Sequence, residues 1–359
     1  MVYCVYIVIQ MDLSKYTGKG LTGLVNLGNT CFLNACVQVL NHTYELHEFL
    51  NSTGYKRHMK PGLIDCSIIA EWNDLRNVMW LQNGIVSPNK FVHNVYRVAR
   101  VKDRDIFTGW AQNDMPEFLL FLIECMHNSI SRGMKMNING KSENAVDNLA
   151  LKCYEMLKDV YSREYSEIMD MFYGIYVSQI VSLKKKIHST KPESFFIMDL
   201  PIPSENTCSL YDCFDKFVAS ETLSGENAWY NEKTKEKEDV IKTLGFWNFP
   251  KILVITLKRF SPDGSRKIGN LIDFPIENLN LSKYVKGYNP QQYVYDLFGI
   301  CNHIGSVSGG HYTAFVKNST GKWLNYNDQI VQEIYLPVDS HIITPMAYCL
   351  FYRKKNNTV

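Results

Sequence analysis

Along the first half of the chain, apolar residues return at steps of three and four. In "NLGNTCFLNACVQVLNH", residues 26–42, Leu33, Cys36, Val37 and Leu40 form one stripe. It predicts a helix beginning near Thr30, with Asn29 or Thr30 as N-cap. "DCSIIAEWNDLRNVMWLQ" and "NKFVHNVYRVARV" carry the same periodicity. "DMPEFLLFLIECMHNSI" opens on Asp114, Pro116 and Glu117, a helix-starting pattern with proline in the tolerated first turn. "SRGMKMNINGKSENAVDN" is polar throughout and reads as a surface loop. From about residue 170 the pattern shortens to β-branched and aromatic runs bounded by Gly, Pro and Asn, as in "MFYGIYVSQIVSL", "KILVITLKRF", "QYVYDLFGICNH", "GHYTAFVKN" and "AYCLFYRK". "AWYNEKTKEKEDV" between them reads as a charged hairpin tip or loop. Helices over 29–165 followed by strands predict an α+β architecture with a cleft between the halves.

Composition narrows the function classes. A chain of 359 residues, 46% hydrophobic and 21% charged, can bury a large core as one domain or as two or three subdomains. A formal net charge of +2 gives no reason to expect nucleic acid or a membrane surface as partner. The ten cysteines are scattered and contain no C-x-x-C pair, which fits a reduced intracellular setting, cytoplasmic or nuclear. The opening "MVYCVYIVIQM" lacks a basic flank and a cleavage site, so residues 1–20 are expected to be a leader or strand.

Candidate chemistry starts with Cys31. In the first turn of a helix, free backbone N–H groups and the positive helix end favour a thiolate. Alternatively, Cys31 is a small buried hydrophobe. A thiolate nucleophile needs a base, and "GGHYTAFVKNSTGKWLNYND" offers His311. Tyr312–Val316 and Lys322–Tyr326 read as strands around a turn at Asn318–Gly321. Pairing Val316 with Lys322 sets His311 opposite Asn327, whose side chain then accepts from the imidazole, as in Cys-His-Asn proteases. The glycines Gly309 and Gly310 allow close backbone approach before the histidine. The bland alternative is a histidine that happens to end a hairpin.

Several separate blocks sharpen this. "GLVNLGNTCFLNACVQVL" and "YDLFGICNHIGSVSGGHYTAFVKNSTGKWLNYND" closely resemble the cysteine and histidine boxes of the ubiquitin-specific proteases. "GWAQNDMPEFL", "LPIPS", "FPKILVITLKRF", "IDFP" and "AYCLFYRK" follow in family order, over roughly residues 20–355. The resemblance implies a papain-like α+β fold with a helical thumb (21–168), reduced fingers with palm strands (about 169–250) and a β-sheet palm (251–355). It implies hydrolysis of the bond after ubiquitin's C-terminal Gly-Gly, with ubiquitin and ubiquitinated proteins as partners, no cofactor, and a monomer. By resemblance Cys31 is the nucleophile, His311 the base and Asn327 the orienting residue. Asn26 is the side-chain amide donor to the oxyanion, although an Asx-turn would also use it. Asp328 is expected on the opposite side of the hairpin unless a bulge redirects it, where it can assist the oxyanion region through water. Asp114 matches the acid that pairs with arginines in ubiquitin's tail and is equally a helix N-cap. Glu117, Gln112, His303, Gly310 and Tyr312 complete the expected substrate-binding set. Cys31 and His311 are expected to rest partly as a thiolate–imidazolium pair.

Three departures stand out. The orienting position is Asn327 where many members have Asp. Pro116 replaces the usual Gln and is expected to alter the helix start. The two segments where many members hold zinc, "VSLKKKIHST" and "WYNEKTKEKE", contain no cysteine, and Cys208 and Cys213 have no second pair, so short, metal-free fingers are expected. Two other readings remain at this point: a protease for another ubiquitin-like modifier, and an inactive ubiquitin-binding scaffold.

Overall fold

The computed structural model describes residues 11–104, 107, 111–261, 263–335 and 337–355. Residues 1–10 of the opening apolar run lie outside the described residues. Strand β1 (Thr22–Leu24) leads into α1 (Cys31–Asn41), and every residue of α1 is buried. Its apolar stripe packs into the larger of the hydrophobic clusters, with Phe32 edge-on to Phe118 at 5.4 Å. The other stripe, Asn34, Gln38 and Asn41, is polar and yet inside. Gln38 Nε2 donates to Thr22 O and Asn41 Oδ1 accepts from Trp80 Nε1, each at 2.8 Å. Each of these amides is only half satisfied, since Gln38 Oε1 and Asn41 Nδ2 are buried without a partner.

Around α1 stand α2 (Tyr44–Asn51), α3 (Cys66–Leu81), α4 (Asn89–Val101) and α5 (Met115–Ile130). Strand β2 (Gly84–Val86), between α3 and α4, pairs parallel with β1. The Asp114 side chain caps α5 by accepting from Glu117 N, and Pro116 sits in the first turn without disturbing that start. The expected alteration by Pro116 does not occur, because this turn needs no proline N–H. The polar run expected as a loop ends in a helix instead: Asn144 caps α6 (Ala145–Glu164), whose first turn takes the last four residues of that run, and Ser166 caps α7 (Glu167–Phe172).

The strand-rich half opens with a long hairpin, β3 (Gly174–Ser182) and β4 (Ile187–Phe195). Next come β5 (Ile197–Leu200), β6 (Thr207–Ser209), α8 (Leu210–Val218) and β7 (Glu221–Leu223). The charged "AWYNEKTKEKEDV" is a small hairpin, β8 (Trp229–Asn231) and β9 (Glu236–Glu238). Strand β10 (Val240–Asn248) then returns to β3, giving a sheet in the order β4-β3-β10-β7.

The rest of the chain builds the main sheet. It contributes β11 (Ile252–Leu257), β13 (Leu279–Asn280) and β14 (Val294–Ser306), while β12 (Leu271–Asp273) pairs parallel with β6 in a small sheet of its own. It continues through β15 (Gly309–Lys317), β16 (Trp323–Asn327), β17 (Ile330–Glu333), the short α9 (Val338–Ile342) and β18 (Ala347–Lys354). The order is β17-β16-β15-β14-β18-β11-β5, with β13 beside β14. Strand β11 is buried at all its positions, as its unbroken apolar run requires. Helix α1 packs across β14–β16, so the helix bearing Cys31 lies against the strand bearing His311. Among the described residues no helix is long and apolar enough to cross a membrane.

Candidate active site

Cys31 is the first residue of α1 and is 4% exposed. Thr30 is the N-cap position, but its hydroxyl accepts from Leu27 N rather than capping the helix. The backbone N–H groups of Tyr312, Phe32 and Cys31 itself are directed at the sulfur and favour the thiolate. Burial and the nearby Asp328 carboxylate outweigh them and push the thiol above its ordinary range. The amides of one helix end thus work against desolvation and a carboxylate near the sulfur. Cys36, one turn on, is fully buried in apolar surroundings and is pushed up further.

His311 and Asn327 do meet: His311 Nε2 lies 2.7 Å from Asn327 Oδ1. An amide oxygen only accepts, so Nε2 carries the proton and Nδ1 is left as the basic nitrogen. The register that brings them together differs from the expected one. Ala314 pairs with Tyr326 and Val316 with Leu324, a slip of two residues from pairing Val316 with Lys322. A slip of two preserves the face, so His311 and Asn327 become diagonal rather than direct neighbours.

The same slip bears on Asp328. Strands β16 and β17 join through Asp328 and Gln329, and Asp328 takes the left-handed φ of +49° that aspartate tolerates. The carboxylate thereby leaves the strand alternation and turns toward α1, so the expected opposite-side placement is corrected. Its Oδ2 accepts from Asn26 Nδ2 at 2.9 Å and its Oδ1 from Asn34 Nδ2 at 2.7 Å. Gly23 makes this approach feasible. Leu24 N donates to Asp328 O at 2.8 Å, and a Cβ on Gly23 would stand 2.6 Å from the Gln329 carbonyl carbon.

Asn26 both builds its turn and keeps a donor free. Its Oδ1 accepts from Gly28 N at 3.0 Å and Thr30 N at 3.2 Å, while one N–H of Nδ2 goes to Asp328. The turn therefore uses the Asn26 oxygen and one of its two N–H donors. Asn34 escapes a sequence reading, because inside a helical stripe it looks like one more core-edge amide.

The remaining expected residues divide by exposure. Gln112 and Glu117 are exposed, and Gln112 Oε1 accepts from Gly310 N at 2.6 Å, bridging the two halves. Asp114 is half-buried, and Tyr348 OH donates to its Oδ2 at 2.7 Å. Burial raises the Asp114 carboxyl above its ordinary range, against the hydrogen bonds from Tyr348 and Glu117 N. His303 and Tyr312 are buried, their rings 4.7 Å apart, beneath the cleft rather than open to it. Burial holds the His303 imidazole down at about 4, hence neutral. A Cβ on Gly310 would collide with the Ile304 carbonyl oxygen and stand 2.5 Å from His303 Nε2, so the paired strand's backbone as well as the ring requires glycine. The glycine thus makes room for the protein's own histidine.

Where the family resemblance would place zinc, the residues do not fit a metal. His188 of β4 lies 3.5 Å from Glu238 of β9, with its ring 5.5 Å from Trp229, and Glu238 accepts from Asn231 and Thr234. Among the described residues no cluster of His, Cys, Asp and Glu could hold a metal. Cys208 and Cys213 are buried on β6 and α8, and the described cysteines are all free thiols.

Comparison with known proteins places the chain in a family. The family model described as ubiquitin carboxyl-terminal hydrolase matches residues 22–352. The Drosophila melanogaster ubiquitin carboxyl-terminal hydrolase Usp2 is 34% identical over 341 residues, covering 94% of this chain and 35% of that protein. The human ubiquitin carboxyl-terminal hydrolases 2 and 21 are each 32% identical, over 95% and 94% of this chain and 56% and 62% of theirs. The chain thus spans between about a third and just under two thirds of these relatives' length. Among solved structures, the SAGA Ubp8/Sgf11/Sus1/Sgf73 DUB module bound to ubiquitin aldehyde is similar, with TM-score 0.70 and 25% identity over 97% of this chain and 72% of that one. The same module bound to monoubiquitin gives TM-score 0.72 at 24% identity, over 98% and 72%, a likeness of fold. With the family match spanning the cleft and both of its walls, the chain belongs to the ubiquitin carboxyl-terminal hydrolase family, of the ubiquitin-specific protease type.

Proposed function

We propose that the chain is a thiol deubiquitinase that cleaves the peptide or isopeptide bond after the C-terminal glycine of ubiquitin. The observation that carries this reading is the His311–Asn327 bond at 2.7 Å, formed on the strand that packs against the helix opened by Cys31. His311 Nδ1 takes the Cys31 proton as the sulfur attacks the carbonyl carbon, and Asn327 holds the imidazolium in place. The oxyanion is met by the free N–H of Asn26 Nδ2 and by the Cys31 backbone N–H. His311 then protonates the departing amine, leaving a thioester that water hydrolyses with His311 again as base.

Around this centre residues 21–168 form the thumb, about 169–250 the reduced fingers with palm strands, and 251–355 the palm. Asp114 and Glu117 face the arginines of the ubiquitin tail, with Gln112 and Gly310 at the same channel. His303 and Tyr312 support its floor. The chain works as an intracellular monomer, and its fingers are held without zinc.

A panel of ubiquitin and other ubiquitin-like modifiers, each bearing a C-terminal fluorogenic amide, tests the reading. Turnover of ubiquitin alone is expected. Turnover of another modifier alone selects the related protease, and ubiquitin binding without turnover selects the inactive scaffold.

A further inference from the structure

Asn34 lies one turn beyond Cys31 and is 2% exposed. Its Nδ2 donates to Asp328 Oδ1 at 2.7 Å and stands 3.4 Å from Val25 O, while its Oδ1, equally buried, has no partner. As a contribution to stability this is a poor residue, since an unpaired buried acceptor costs free energy that an apolar side chain of similar volume avoids. What Asn34 supplies is a donor aimed at a carboxylate. The other oxygen of that carboxylate holds the amide of Asn26.

The geometry has a direct consequence. A carboxylate bound at one oxygen swings about its Cβ–Cγ bond, and bonds to both oxygens fix its plane. The Asp328 plane sets where the bonded N–H of Asn26 Nδ2 points. Since an amide is flat, this also sets where its second N–H points, and the carboxylate that holds it lies near enough to Cys31 to act on its thiol. The Asn26 Oδ1 bonds to Gly28 N and Thr30 N hold the other end. Oxyanion donors act through such advance orientation.

We propose that Asn34 is a positioning residue for the oxyanion site, clamping the Asp328 carboxylate so that the Asn26 amide is aimed at the developing charge. This role rests on the thiol-protease reading above and acts on transition-state binding, with no contact to substrate.

The test compares ubiquitin aldehyde, whose hemithioacetal oxygen occupies the oxyanion position, with ubiquitin itself. Asn34→Leu refills the volume without a donor. It is expected to weaken the aldehyde by about ten- to a hundredfold, the scale of one charged hydrogen bond. Ubiquitin affinity and melting temperature are expected to hold, with kcat reduced at unchanged KM. In an Asp328→Ala background the same substitution adds no further loss. A second arm needs no ubiquitin: the pH profile of Cys31 carboxymethylation, read by peptide mapping. Asn34→Leu leaves the carboxylate charge less compensated and moves the midpoint up, while Asp328→Asn moves it down. If the wild type binds no ubiquitin aldehyde, the protease reading fails and the second arm still decides the clamp. Asn34→Ala is the companion variant and must show the same split. Retained aldehyde affinity, a loss that simply adds to that of Asp328→Ala, or an unmoved Cys31 midpoint overturns the proposal. So does failure of both variants to fold.

Discussion

The cleft and the β8–β9 hairpin are held together in opposite ways. In the cleft, Asp328 reaches Asn26 and Asn34 across 302 and 294 residues of chain. At the β8–β9 hairpin, Glu238 takes its hydrogen bonds from residues seven and four positions away. The cleft is a seam, correct only when both halves are folded and docked in register. The hairpin is a local device that its own sequence sustains. The cleft geometry therefore depends on few residues and on a distant register, while the hairpin depends on its own neighbours.

The largest expected effect breaks the seam at its nucleophile. Cys31→Ala abolishes hydrolysis of a ubiquitin C-terminal fluorogenic amide while ubiquitin binding persists, whereas Cys36→Ser still turns over. A dead Cys36→Ser with an active Cys31→Ala would move the nucleophile one turn along α1.

Next comes the orienting residue. The His311–Asn327 bond is worth about 0.5–1.5 kcal/mol directly. A positioned general base adds some 10²–10⁴-fold, so Asn327→Ala is expected to lose about one to three decades of kcat. Asn327→Asp retains most activity, because a carboxylate oxygen can occupy the same place. Should Asn327→Ala be nearly wild type while Asp328→Ala is dead, the third member of the site is Asp328.

Asp114 gives a smaller effect with a pH signature. Asp114→Ala raises KM more than it lowers kcat, and loss of the N-cap costs about 0.5–2 kcal/mol of stability. The folded carboxyl is raised above its unfolded value, so the folded state holds its proton more tightly. Stability falls as pH rises from the ordinary carboxylate range through the raised value. Asp114→Asn flattens that slope in melting temperature, and an unchanged slope would remove the buried carboxylate from the account.

The smallest effect is at the β8–β9 hairpin. Glu238→Gln lowers the melting temperature slightly and leaves kcat alone, and a chelator changes neither. One zinc per purified chain in elemental analysis, or melting that falls with chelator, would restore a metal to the fingers.

Local signals made most of the fold legible. Most helices over 31–164 announce themselves by periodicity and by the Asp114 cap, and the strands by β-branched runs, but the start of α6 lies in a polar run that reads as a loop. Helix α8 did not, although Ser209 and Asp212 form a full capping box, because it is short and sits among strand-like segments. Cys31 and His311 were readable since a helix start and a glycine-bounded strand are local features. Asn327 was readable with the wrong register, because a slip of two leaves the face unchanged. The direction of Asp328 was not, because a left-handed φ at one residue undoes the alternation that predicts it. Asn34 stayed hidden, since its partner is fixed only by the docking of two halves.

The most direct measurement traps the intermediate itself. The chain is reacted with ubiquitin bearing a C-terminal electrophile, and the adduct is mapped by peptide mass spectrometry. The account predicts a single ubiquitin adduct on Cys31, lost in His311→Ala. An adduct on any other cysteine, or one that forms equally without His311, would contradict it.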